Sequence, residues 1–78
     1  MAREDLGQAF LLKLYEKTVD DGVRSIDKYE IGKEIGLLDK FQTNNLVNEL
    51  TYNGYIHEGE ERPKIYLSNK GRKKVEIY

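Results

Sequence analysis

The spacing of apolar residues changes at Gly54. Before it, Leu6, Phe10 and Leu14, then Ile31 and Ile35, then Leu46, Val47 and Leu50 recur at the three- and four-residue intervals of one helix face. After it, Tyr55-Ile56-His57 and Lys64-Ile65-Tyr66-Leu67 are short β-prone runs on either side of Glu58-Gly59-Glu60-Glu61-Arg62-Pro63, a loop composition. Each helical stretch opens with Asp followed three residues later by Glu or Gln: Asp5/Gln8, Asp27/Glu30 and Asp39/Gln42. That spacing lets two side chains satisfy orphan amides at a helix start, and Asp also suits the positive end of the helix dipole. Helices are therefore expected over about residues 6–18, 28–35 and 40–53, closing near Asp20-Asp21-Gly22, at Gly36 and at Gly54. An isolated hairpin is marginal in water, so Val23-Arg24-Ser25-Ile26 is expected to supply a third strand. Ser68 is placed to cap a short last helix through Lys70, Arg72, Lys73 and Lys74 towards Val75 and Ile77. The predicted order is helix, strand, helix, helix, strand, strand, helix, an α+β arrangement in a single domain over residues 1–78.

Composition narrows the classes. With 78 residues, 38% hydrophobic and 35% charged, the chain has room for one small core and not for a two-domain enzyme. It contains no Cys, which removes disulfides and thiolate metal sites as staples. No apolar run approaches the roughly 18 residues of a membrane span. The opening Met1-Ala2-Arg3-Glu4-Asp5 lacks a signal-peptide pattern, so no membrane partner and a cytoplasmic location are expected. Thirteen Lys plus Arg against fourteen Asp plus Glu give a net charge of −1, without the basic excess usual in a nucleic-acid binder.

Three stretches carry a family likeness. Ile31-Gly32-Lys33-Glu34-Ile35-Gly36-Leu37 combines a small residue for close helix approach with a closing Gly. Leu46-Val47-Asn48-Glu49-Leu50 runs into Asn53-Gly54-Tyr55-Ile56. Ile65-Tyr66-Leu67-Ser68-Asn69-Lys70-Gly71-Arg72 turns from an apolar strand into a Ser-capped helix. In this order the chain resembles, over about residues 6–78, the winged helix-turn-helix domain of small prokaryotic transcription regulators. The resemblance implies a three-helix core, a small antiparallel β-hairpin wing and a short C-terminal helix. It also implies a sequence-specific DNA-binding transcription regulator that reads the major groove with its third helix and uses no cofactor. The chain departs from the tight form of the motif at Gln42, six positions after Gly36, where a buried β-branched residue would stand. One more residue in the turn brings Thr43 and Leu46 inward instead, with Thr43 towards the second helix. Gly32 costs a helix interior about 1 kcal/mol against Ala, and close helix approach is the expected compensation.

With Leu46, Val47 and Leu50 inward, helical periodicity turns Gln42, Asn44, Asn45 and Asn48 outward. Amide side chains can pair with adenine N7 and N6, which makes these four the candidate base contacts, against the plainer reading of a solvated polar face. Lys40 at the helix start and Arg62 and Lys64 in the hairpin are the candidate phosphate contacts. Residues 62–74 carry Arg62, Lys64, Lys70, Arg72, Lys73 and Lys74 without one carboxylate, although Glu58, Glu60 and Glu61 at the hairpin tip would repel a phosphate backbone. Lys70 to Lys74 read equally well as the solvated side of a short helix.

Ala9-Phe10-Leu11-Leu12-Lys13-Leu14-Tyr15 is apolar nearly all round. Either Val75, Ile77 and Tyr78 cover it within the chain, or Leu11, Leu12 and Tyr15 meet a second copy. Such a homodimer would present two third helices to successive major grooves. Catalysis and metal binding are not expected: His57 is the sole His, and Ser25 and Ser68 read as strand-edge and cap residues. The competing function, favoured by the near-zero charge and acidic tip, is a winged-helix protein-interaction module whose partner is a protein in a larger transcription or processing assembly.

Overall fold

Two Asp side chains set the starts of the central helices. Asp27 and Asp39 each accept a hydrogen bond at 2.8 Å from the backbone amide two residues ahead, Tyr29 and Phe41 respectively. In the computed structural model, which describes the backbone of residues 3–76 and side chains from Leu6, the elements are α1 (Arg3–Asp21), β1 (Ile26–Asp27), α2 (Lys28–Glu34), α3 (Lys40–Tyr52), β2 (Ile56–Glu58), β3 (Lys64–Leu67) and α4 (Asn69–Glu76). The order of elements is the one expected from the sequence, and the class is α+β. The first cap is not: α1 begins upstream of Asp5, which lies inside the helix. Nor does Glu30 turn back on Asp27; its carboxylate lies 3.8 Å from Lys17 Nζ, which also holds Glu34 at 2.7 Å and so ties α1 to α2.

Both central helices end in the same way. The amides of Gly36 and Leu37 return to the carbonyls of Lys33 and Gly32, and those of Gly54 and Tyr55 to Thr51 and Leu50. This is the Schellman arrangement, and it needs a left-handed residue, supplied by Gly36 (φ 93°) and Gly54 (φ 84°). The sharp stop after Gly54 delivers the chain directly into β2.

The three strands form one antiparallel sheet in the order β1, β3, β2, with Ile26 opposite Ile65 and Ile56 opposite Leu67. The inward faces of Ile26, Ile56 and Ile65 close over Phe10, Leu11 and Leu14 of α1, Ile31 of α2, Leu46, Val47 and Leu50 of α3 and Val75 of α4, all in one apolar cluster. Strand β1 is shorter than the Val23–Ile26 run suggested, because Val23 and Arg24 stay exposed and only Ile26 and Asp27 reach β3.

The all-round apolar character of α1 has an internal explanation. The helix is packed by α2 on one side and by α4 and β3 on another, and Leu11 is completely buried. Leu11 therefore cannot belong to a surface shared with a second copy, a correction to the expectation drawn from its neighbours. Val75 supplies part of the cover; Ile77 and Tyr78 lie outside the described residues. Leu12 remains 43% exposed and Tyr15 half-buried against the core. Among the described residues, no helix is long and apolar enough to cross a membrane.

Candidate nucleic-acid interface

Helix α3 is fixed to the body by Thr43, Leu46, Val47 and Leu50, all buried. Thr43 faces α2 as expected, against Gly32, where a Cβ atom would collide with the threonine hydroxyl and lie 3.1 Å from its methyl group. With that side committed, the 3.6-residue period directs Phe41, Asn45, Asn48 and Tyr52 outward in one line, at intervals of four, three and four residues. Phe41 is 69% and Tyr52 91% exposed, and Leu38, just before the cap, is 82% exposed. Two amides thus lie between two aromatic rings on a helix about 20 Å long at 1.5 Å per residue.

The expected base-contact residues divide by position. Asn45 and Asn48 occupy the centre of the outward line, and Gln42 is exposed on its flank, beside a shallow hollow shared with Leu6, Leu37, Asn45 and Leu46. Asn44 is half-buried on the opposite flank, where Tyr29 Oη donates to its Oδ1 at 3.0 Å. That bond ties α3 to α2 and engages the oxygen that adenine pairing would need.

Cationic side chains gather at both ends of α3. At its start, Lys28 Nζ and Lys40 Nζ lie 5.3 and 5.1 Å from the centre of the Tyr29 ring. At its end, Lys70 Nζ and Lys74 Nζ lie 4.9 and 5.3 Å from the centre of Tyr55, and Lys70 also donates to the Asn53 carbonyl at 2.8 Å. A ring face attracts an ammonium group, so each Tyr holds two lysines near the helix terminus. Helix α4 reaches this position through the turn after α3. Ser68 Oγ donates to the Gly54 carbonyl and accepts from the Gly71 amide at 3.0 Å, while the Ser68 amide donates to the Tyr55 carbonyl at 3.0 Å. Ser68 is thus the cap that the sequence indicated, and its hydroxyl both donates and accepts.

The hairpin differs from expectation. Arg62 pairs with Glu58 at 3.2 Å and Lys64 with Glu61 at 4.0 Å. The basic stretch from 62 to 74 is therefore not one patch in space. Arg62 and Lys64, the expected phosphate contacts, belong to a hairpin whose three carboxylates outnumber its two cations, whereas Lys70 and Lys74 stand at the end of α3. Lys40 keeps its expected place at the helix start.

Lys28 and Phe41 were not singled out from the sequence, and Lys70 and Lys74 entered only within the basic 62–74 stretch, read equally well there as the solvated side of a short helix. Phe41 was legible, since it shares the helical phase of Asn45 and Asn48. The gathering of lysines was not, because it depends on Tyr29 meeting Lys40 and on Tyr55 meeting Lys70 and Lys74, residues distant in the chain. On the outer side of the sheet, His57 faces Tyr66 with ring centres 5.5 Å apart, and Arg24 lies 5.5 Å from the same Tyr66 ring. These residues line a shallow cleft of about 430 Å³ with Tyr15, Thr18 and Arg72. No protein-family model, curated protein or solved structure matches the chain, and its functional reading rests on its own residues and geometry.

Proposed function

We propose that this chain is a winged helix-turn-helix domain that binds double-stranded DNA and acts as a sequence-specific transcription regulator, with α3 in the major groove. The observation that carries the reading is the layout of α3: an uncharged line of amides and aromatic rings with a pair of lysines at each end. A major groove is about 12 Å wide and walled by phosphates, so it suits a helix with base-pairing groups along its face and cations at its ends. Asn45, Asn48 and Gln42 read base edges, Asn44 serves as a strut through Tyr29, and Lys28, Lys40, Lys70 and Lys74 hold phosphates. The net charge of −1 is no obstacle, because attraction acts within a Debye length of about 8 Å at physiological salt. The acidic hairpin tip stays off the backbone. No cofactor enters this reading. Leu12 and Tyr15 form the candidate contact for a homodimer, which would place two α3 helices about 34 Å apart, one turn of duplex.

A protein-interaction module is the second reading, favoured by Leu12 and Val19, 43% and 61% exposed on α1, together with the acidic hairpin. Fluorescence anisotropy with a labelled generic duplex across a salt series separates the two. Four phosphate contacts per chain predict a slope of log K against log salt near −3.6 for a monomer and about twice that for a dimer. Absence of binding at about 50 mM salt, where phosphate attraction is strong, would favour the protein partner.

A further inference from the structure

We infer that the half-site read by α3 is built of A·T base pairs, with thymine methyl groups seated against Phe41 and Leu38. The inference rests on the DNA-binding reading above and goes on to name the bases.

The side chains that face outward on α3, and those missing there, select the bases. Guanine is recognised through O6 and N7 by Arg or Lys, and cytosine through its amino group by Asp or Glu. Helix α3 contains no Arg, and its one Lys, Lys40, has its ammonium drawn to the Tyr29 ring beside α2. Its one carboxylate, Glu49, is half-buried and off the central line. The amides left on the outward face are Gln42, Asn45 and Asn48, with the hydroxyls of Thr51 and Tyr52 exposed towards the end of the helix. An amide oxygen accepts from the adenine amino group while its NH2 donates to N7, a match that no other base offers in the major groove.

Phe41 and Leu38 complete the pattern. A Leu just before the helix cap commonly packs on the residue four places into the helix. Here that residue is Thr43, which is buried against Gly32, and Leu38 and, three residues on, Phe41 stand 82% and 69% exposed. Thymine is the one base with a methyl group in the major groove, and an apolar side chain is what recognises it. Amides for adenine and apolar carbon for thymine therefore lie side by side at the start and middle of one helix face.

The test is competitive anisotropy with two duplexes of about 20 base pairs, two helical turns, one of mixed A and T order and one of mixed G and C order, at the same salt. The A·T duplex is expected to bind at least about tenfold more tightly, since one good amide–adenine pair gives about 5- to 150-fold discrimination. Replacing adenine by a deaza analogue with carbon in place of N7 should remove most of that preference. Replacing thymine by uracil should weaken the wild-type protein, weaken Phe41→Ala less, and leave the double variant Leu38→Ala/Phe41→Ala indifferent. Phe41 is a surface residue, and unchanged circular dichroism of the variant checks its fold. Equal affinity for both duplexes, or preference for G·C, overturns the inference while leaving DNA binding in place. Failure to bind either duplex overturns the DNA-binding reading and the inference with it.

Discussion

The side chain of Thr43 occupies the space that a Cβ atom on Gly32 would need. This contact sets how closely α2 and α3 approach and so how α3 is tilted on the body. Helix propensity alone would make Gly32→Ala stabilising by about 1 kcal/mol. The packing predicts the opposite sign, a loss of about 1–3 kcal/mol from overpacking, read as a lower thermal midpoint. Adding Thr43→Ala should recover part of the loss, because it removes the hydroxyl and methyl group that collide. Two penalties that simply add in the double variant would contradict the contact.

Gly71 stands where α4 crosses the turn after α3, and a Cβ there would collide with the backbone carbonyl of Tyr55. A backbone atom held in a turn cannot move aside as a side-chain tip can. Gly71→Ala should therefore destabilise more than Gly32→Ala in the same chemical denaturation series. Ser68→Ala removes a hydroxyl that serves the Gly54 carbonyl and the Gly71 amide together and should cost about 1–3 kcal/mol.

Removing Lys70 or Lys74 should weaken binding to all duplexes alike and lower the salt slope by about 1 for each lysine lost. Arg62→Ala and Lys64→Ala should change the slope little, since their charges are already met by Glu58 and Glu61. Salt-series anisotropy on the four variants makes the comparison. A larger effect from the hairpin pair would return the phosphate contacts to the hairpin.

Asn45→Ala and Asn48→Ala should relax sequence choice by about 1–3 kcal/mol at one base position each without altering the salt slope. Tyr29→Phe keeps the ring between Lys28 and Lys40 but frees Asn44 from its strut. It should cost about 1 kcal/mol of stability, the typical net value of one hydrogen bond, with a smaller effect on discrimination than either Asn variant.

Much of the fold was legible because it is governed by local rules. Asp27 and Asp39 cap, Gly36 and Gly54 close, and Leu46, Val47 and Leu50 point inward, each decided by residues within one or two helical turns. Asp5 misled because a capping pattern can occur inside a helix whose own start lies further back. Leu11 misled because α1 is covered from two directions, a fact of tertiary packing that its own sequence does not contain. The amide face of α3 followed from periodicity. The distribution of charge around it did not, because Glu58 and Glu61 pair with Arg62 and Lys64 at the hairpin end of a stretch that looks uniformly basic in the linear chain, while Tyr29 and Tyr55 gather lysines from α2, α3 and α4.

The central claim is that the outward face of α3 is the surface that meets DNA, and nitrogen–proton NMR of the labelled protein titrated with duplex tests it residue by residue. The account predicts shifts in the backbone amides of residues 40–53 and in the side-chain amides of Asn45 and Asn48, with the hairpin tip at residues 59–61 unmoved. Shifts confined to the exposed side of α1 around Leu12 and Val19, or to the hairpin, would contradict it.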